Sequence, residues 1–243
     1  FGEATVPYPP GATAAEVTAL INAQTEKTGV SAAARTEVQL GDFASGSTTS
    51  YTLLVSSDND PTQAVGLSFT VGVPLNADNL SDAAKAFNDT AAKTGITARV
   101  SSDGKGIILT NAAGNDIRIL NTSSSPLSVY YANTDPLEPI VGASGLTATP
   151  AATGWAAASA SVITGQITLD SSKSFTVADS KGASGGGGFL LASGSTSSQL
   201  QKAQDMDVST VDAANRTLAI VDSAIAAISA QRANYGALQS RFE

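Results

Sequence analysis

The sequence has no cysteine and no histidine. Without cysteine there are no disulfides, no thiol nucleophile and no thiolate zinc site. Without histidine the chain lacks the usual general base near neutral pH and the commonest metal ligand. A Ser-His-Asp arrangement is therefore impossible within it. Aromatic residues are 5% of the chain and charged residues 14%. Only 13 lysines and arginines stand against 21 acidic residues, a net charge of -8. A nucleic-acid partner needs a basic face that displaces counterions, and these scattered cations make none. An acidic membrane surface is disfavoured for the same reason. No apolar run approaches the length of a membrane span, so no insertion is expected. The totals exclude more than they assign: no enzyme and no cofactor are expected.

What is present is 243 residues rich in Ala, Ser, Thr and Gly. That is enough for one large domain or two modest ones. The first residue is Phe1, and the spacing still reads as helix at Glu243. We therefore expect an internal piece of a longer protein.

The stretch "AAEVTALINAQTEKTGVSAAA" (14–34) aligns with "LSDAAKAFNDTAAKTGITARV" (80–100) at a constant offset of 66. Identities are Asn22/Asn88, Lys27/Lys93, Thr28/Thr94, Gly29/Gly95 and Ala32/Ala98. Apolar residues at Val17, Leu20 and Ile21, and at Ala83, Ala86 and Phe87, follow helical spacing. Gly29 and Gly95 suit the left-handed position that ends a helix. Thr13 and Ser81 are the expected N-caps, with Glu16 completing a capping box on Thr13. After each glycine the period becomes two, and after the second "GITARV", "IILT" and "IRIL" read as three strands of a small antiparallel sheet. "GLSFTVGV" reads as a strand before the second helix. Two unrelated helices that share a cap are the alternative to a true repeat.

Between 121 and 206 loop chemistry dominates: "NTSSSP", "GASGLTATPAATG" and "SKGASGGGG". "VITGQITL" and "SFTV" are the expected strands there, read as a β hairpin. Trp155 reads as a local core anchor. "GASGG" (182–186) matches the nucleophile-elbow pattern, but Ser184 lacks the strand-to-helix turn and the histidine that the elbow needs. "SDND" offers Asp58 and Asp60 as candidate metal ligands, yet the twelve-residue calcium loop is absent, and a solvated turn is the simpler reading. Asn79, Asn88, Asn121 and Asn215 sit in N-x-[ST] sequons, and no glycan is assigned to them.

The last segment opens on "DVSTVD", with Ser209 as N-cap and Asp212 three residues on. Val211, Ala214, Leu218, Val221, Ile225 and Ile228 step by three and four. After polar Arg232 come Tyr235 and, with a small shift, Leu238 and Phe242. This narrow, long stripe reads as a coiled-coil seam that asks for another long helix. The alternative is an amphipathic helix lying on its own domain. The candidate interface residues are Val211, Leu218, Val221, Ile225, Ile228, Arg232, Tyr235, Leu238 and Phe242.

"DVSTVDAANRTLAIVDSAIAAISAQRANYGALQSRFE" (207–243) resembles the carboxyl-side core helix of bacterial flagellins. The resemblance is carried by Ser229, Gln231, Arg232, Ala233, Gly236, Ala237, Gln239, Arg241 and Phe242, with Asp207–Thr210 and Val221-Asp222 upstream. Ser240 and Tyr235 depart from the family's usual Asn and Leu. "INAQTEKTGV" resembles the short repeat of flagellin outer domains. The resemblance implies a structural subunit of the extracellular flagellar filament, polymerising with other copies of itself. It implies that the last helix packs against amino-side helices missing from this sequence. A hook–filament junction protein shares the carboxyl-side pattern. The rival from another class is a cell-surface adhesin whose repeat domain takes an extracellular polysaccharide, which a basic cluster of Lys27, Arg35, Lys85, Lys93, Lys105 and Arg118 would favour. The expected architecture is α+β: an outer domain over 1–121 with two repeats, a Gly/Ser-rich connecting region over 122–206, and a long helix over 207–243.

Overall fold

A computed structural model describes residues 2–131, 144–146, 160–179, 194–199, 208 and 211–242. Helices and antiparallel strands are mixed, as the α+β expectation requires. Trp155, Ser184, Ser209 and the glycine run at 185–188 lie outside the described residues. The chain forms two compact units. One comprises Ala12–Glu16 and Ala34–Ile167, the other Phe1–Gly11, Val17–Ala33 and Thr168–Glu243. This division does not follow the linear one into 1–121, 122–206 and 207–243, because strands beyond residue 121 complete the sheets of the first-named unit.

In that unit, β2 (Thr49–Ser56) pairs on one side with β3 (Val65–Val71) and on the other with β6 (Ile117–Asn121). β6 in turn takes β9 (Ala160–Ile163), giving the order β3-β2-β6-β9. A second sheet has the order β4-β5-β1-β7-β8, from Ile96–Val100, Ile107–Asn111, Ser31–Gly41, Leu127–Tyr131 and Ser144–Leu146 respectively. Apolar residues alternate along the strands of both sheets, as half-buried strands require. Val38 and Leu40, Leu53 and Val55, Leu67 and Phe69, Ile107 and Leu109, and Ile117 and Ile119 meet in one core. Leu80, Ala83 and Phe87 of α3 (Ala77–Asp89) join it. Phe69 stacks on Tyr51 at 5.5 Å between ring centres.

Two strand pairings differ from the sequence reading. "IRIL" is not a third strand beside "GITARV" and "IILT": β4 pairs with β5, while β6 belongs to the other sheet. The chain changes sheets in the turn after β5. There Asn111 Oδ1 accepts from the backbone N–H groups of Ala113, Gly114 and Asn115, and Gly114 has a φ of 82°. "VITGQITL" does not pair with "SFTV" as a hairpin either. Its first half is β9, on β6, and its second half, β10 (Gln166–Asp170), pairs with β1. The link passes through a gap that only glycine fits. A Cβ at Gly165 would lie 2.6 Å from Thr36 Oγ1 and 2.8 Å from the Gly114 carbonyl oxygen. The two-stranded pairing in this region is between β11 (Thr176–Asp179) and β12 (Gly194–Ser197).

The two aligned stretches build the same local device. Each expected helix is broken near its end: α1 (Ala14–Asn22) is followed by the single turn α2 (Thr25–Thr28), and α3 by α4 (Ala91–Thr94). Gly29 and Gly95 both have a φ of 70° and donate to the carbonyls of Thr25 and Ala91. The Asn22 amide donates to the Ala32 carbonyl at 2.9 Å and accepts from the Ala32 N–H at 2.7 Å. The Asn88 amide treats Ala98 in the same way, at 2.9 and 2.8 Å. The Thr28 hydroxyl donates to the Gln24 carbonyl and accepts from the Val30 N–H. Thr94 does so with Thr90 and Ile96.

At the helix starts one expectation holds and one is corrected. Thr13 Oγ1 accepts from the Glu16 N–H at 3.2 Å while Glu16 Oε2 accepts from the Thr13 N–H at 2.9 Å, a reciprocal capping box. Ser81 is not the N-cap of α3, which begins a turn earlier. Asn76 caps it by accepting from the Asn79 N–H, and Ser81 Oγ donates to the Asp78 carbonyl within the helix.

Candidate assembly interface

α5 (Val211–Phe242) is 32 residues long and lies wholly in the second unit. At ~1.5 Å per residue it extends roughly 48 Å. It contains no proline, and its one glycine is Gly236. Leu218, Ile225 and Arg232 fall seven residues apart, as do Val221, Ile228 and Tyr235. A spacing of seven drifts slowly around a straight helix, so these positions form one shallow stripe.

The stripe is bare among the described residues. Leu218, Ile225, Ile228 and Tyr235 are 57% to 63% exposed, and Val221 and Leu238 are exposed as well. Arg232 is exposed among them. The side chains of Val211 and Phe242 lie outside the described residues. Scattered exposed apolar residues are ordinary on a protein surface, and a row of them along one helix is less so. Fully burying one such side chain is worth about 1.5–3 kcal/mol. Covering the row would therefore release on the order of 10 kcal/mol before the cost of association is subtracted. Gly236 has no atom outside its own helix within 4 Å of where a Cβ would stand. Glycine inside a helix costs about 1 kcal/mol relative to alanine, and no steric need within the described residues accounts for it.

The acidic pair at the β2 end is occupied with the fold. Asp58 Oδ1 accepts from the side-chain amides of Asn111 at 2.6 Å and Asn115 at 2.9 Å. Asp60 Oδ1 accepts from the Thr62 N–H and hydroxyl, both at 2.7 Å, and caps the 3-10 turn Pro61–Gln63. The Thr62 hydrogen bonds hold the Asp60 carboxyl below the usual carboxylate range. Among the described residues no group of three or more acidic side chains is placed to hold a metal ion. The role of Asp58 against Gly95 and Asn111 was missed in the sequence; its position in a turn gave no sign of it.

Three of the six cations named for a polysaccharide site are engaged. Arg35 pairs with Glu37 at 3.0 Å and Arg118 with Asp116 at 3.3 Å; Lys85 pairs with Asp89 on the same helix. Arg99 also reaches Glu37, at 3.0 Å. Two sequons are likewise committed: Asn88 clamps Ala98, and the buried Asn121 donates to the Ser125 carbonyl and accepts from Ser123. No described helix is long and apolar enough to cross a membrane.

No protein-family model matches the chain. The chain is 28% identical over 184 residues to B-type flagellin of Pseudomonas aeruginosa, a match covering 73% of this chain and 36% of that protein. It thus spans about a third of the length of the relative it matches. The chain is a distant, flagellin-like sequence.

Proposed function

We propose that this chain is the outer part, together with one core helix, of a flagellin-type subunit that polymerises into an extracellular flagellar filament. The observation that carries the reading is the bare seven-residue stripe on α5. Its partner would be long helices from elsewhere in the same subunit and from neighbouring copies. The similarity to a flagellin supports that assignment, and the relative's greater length supports a subunit with further segments. Gly236 fits a point of close helix approach. The work is packing, not turnover. The polysaccharide-receptor reading draws less support, because Arg35, Lys85 and Arg118 are already paired with carboxylates. A hook–filament junction protein would use the same stripe and differs in where it stops polymerising.

The test is Ile225→Asp. Ile225 is exposed here, so the substitution is expected to leave the stability of chain 1–243 within about 0.5 kcal/mol, as for other surface changes. In the full-length subunit the same carboxylate would be buried unpaired, which costs several kcal/mol. Filament formation, followed by electron microscopy and sedimentation, is expected to fail. Normal filaments from this variant would refute the assignment of the stripe.

A further inference from the structure

The strand β4 forms one end of its sheet, with β5 as its sole strand partner among the described residues. An end strand normally shows a row of unpaired N–H and C=O groups, on which another chain can add a strand. Here side chains take three groups of that row, the Ala98 N–H and C=O and the Ile96 N–H. In an antiparallel ladder the N–H and C=O of one residue point to the same side. Both groups of Ala98 meet the Asn88 amide, so Ala98 faces away from β5. The Ile96 N–H, two residues back along the same side, is taken by Thr94 Oγ1 at 3.2 Å. Asn88 stands on α3 and Thr94 on α4, so one short stretch supplies both groups before the strand begins. The first stretch repeats the device: Asn22 closes Ala32, and Thr28 takes the Val30 N–H.

We propose that Asn88 and Thr94 form an edge seal, which keeps β4 from pairing with the same strand of a second copy of this chain. The amide suits the task because it presents one donor and one acceptor at the spacing of a strand's own backbone. A carboxylate has no donor for the Ala98 carbonyl, and a serine hydroxyl at this position would fall one bond short of where the amide groups stand. The outward side of β4 is short, and its side chains are not strongly repelling: Thr97, Ala98 and Arg99 carry one charge, and Arg99 is held by Glu37. α3 also packs against β4, and among the described hydrogen bonds the Asn88 amide is what takes the two outward backbone groups of Ala98. The proposal does not depend on the filament reading, since it concerns the unit formed by Ala12–Glu16 and Ala34–Ile167.

The experiment uses chain 1–243 carrying Ile225→Asp, which silences the α5 stripe. Sedimentation equilibrium and light scattering are recorded over a concentration series. Adding Asn88→Ala is expected to raise the self-association constant at least tenfold. Adding Ala98→Pro as well removes the outward N–H and is expected to return the protein to the monomer, since proline is tolerated on the open side of an end strand. A merely structural anchor would lower thermal stability without changing the oligomeric state. A folded Asn88→Ala protein that stays monomeric throughout overturns the proposal. So does association that Ala98→Pro leaves intact. If Asn88→Ala fails to fold, Asn88→Ser is measured against the same two criteria.

Discussion

Replacing Gly95 with alanine tests the local geometry most sharply. Gly95 ends α4 with a φ of 70°. A non-glycine residue in that region costs roughly 1–2 kcal/mol from backbone sterics alone. A second cost is specific to this site. An added Cβ would lie 2.0 Å from Asp58 Oδ2 and 2.3 Å from Asp58 Cγ. The carboxylate must leave. It then gives up the amides of Asn111 and Asn115, each worth about 0.5–1.5 kcal/mol net. Asn111 is fully buried, although Ser57 Oγ still accepts from its amide at 2.9 Å. The expected total is about 3 kcal/mol, from one backbone and two hydrogen-bond contributions. Gly104 is the control within the same unit: its φ is 67°, and the nearest atom to an added Cβ is the Ala77 nitrogen at 3.3 Å. Gly104→Ala should therefore cost the backbone part, roughly 1–2 kcal/mol, with a shift of a few tenths of an ångström at Ala77 and no lost side-chain hydrogen bond. Native-state hydrogen exchange of the β4 and β5 amides reads this unit directly. Asp58→Ala should cost less in the Gly95→Ala background than alone, giving a coupling of about 1–2 kcal/mol. Equal losses for Gly95→Ala and Gly104→Ala would refute the account of Asp58.

Asp116 should make stability fall as pH rises. Burial raises its pKa above the usual aspartate value, Arg118 opposes this and Glu16 adds to it. A carboxyl whose folded value is raised contributes most below its unfolded value, and that contribution is lost as pH rises through the folded one. The stability of wild type minus that of Asp116→Asn should therefore decrease with pH over that window, measured by urea denaturation. An increase would contradict the sign. At the start of α1, Thr13→Ala should destabilise by about 1 kcal/mol, the usual value of an N-cap. Exchange protection of the α1 amides should fall accordingly, and unchanged protection would show that the capping box does not hold in solution.

Features that rest on local chemistry were legible in the sequence. The capping box at Thr13, the left-handed glycines, the strands "GLSFTVGV", "GITARV", "IILT" and "IRIL", and the stripe on α5 all follow from residues a few positions apart. What escaped was the choice of strand partner. β1 begins "SAAAR", where small and polar residues give no alternation, and only Val38 and Leu40 mark it as half-buried. β6 and β9 pair across about forty residues, and nothing near either strand encodes that choice. The change of sheet after Asn111 depends on three backbone donors meeting one side-chain oxygen. An asparagine in "NAAGND" reads as a turn, without saying which way the chain leaves it.

The repeated stretch shows which kind of contact constrains identity. Several positions exchange one apolar residue for another: Val17 stands where the second copy has Ala83, Ile21 where it has Phe87, and Val30 where it has Ile96. Cores accept such exchanges when neighbours make up the volume, because dispersion and burial have no direction. Most of the identical positions make directed contacts instead. Asn22 and Asn88 each satisfy two backbone groups, Thr28 and Thr94 each bridge two, and Gly29 and Gly95 hold a φ that other residues resist. The shared lysine at 27 and 93 stands in the last turn of α2 and of α4, where a cation suits the helix dipole. A hydrogen bond fails when its donor moves by about an ångström, whereas an apolar contact merely weakens. The device that closes a strand end therefore tolerates a new core residue beneath it, but not a glutamine in place of Asn88, whose extra methylene would carry the amide past both groups of Ala98.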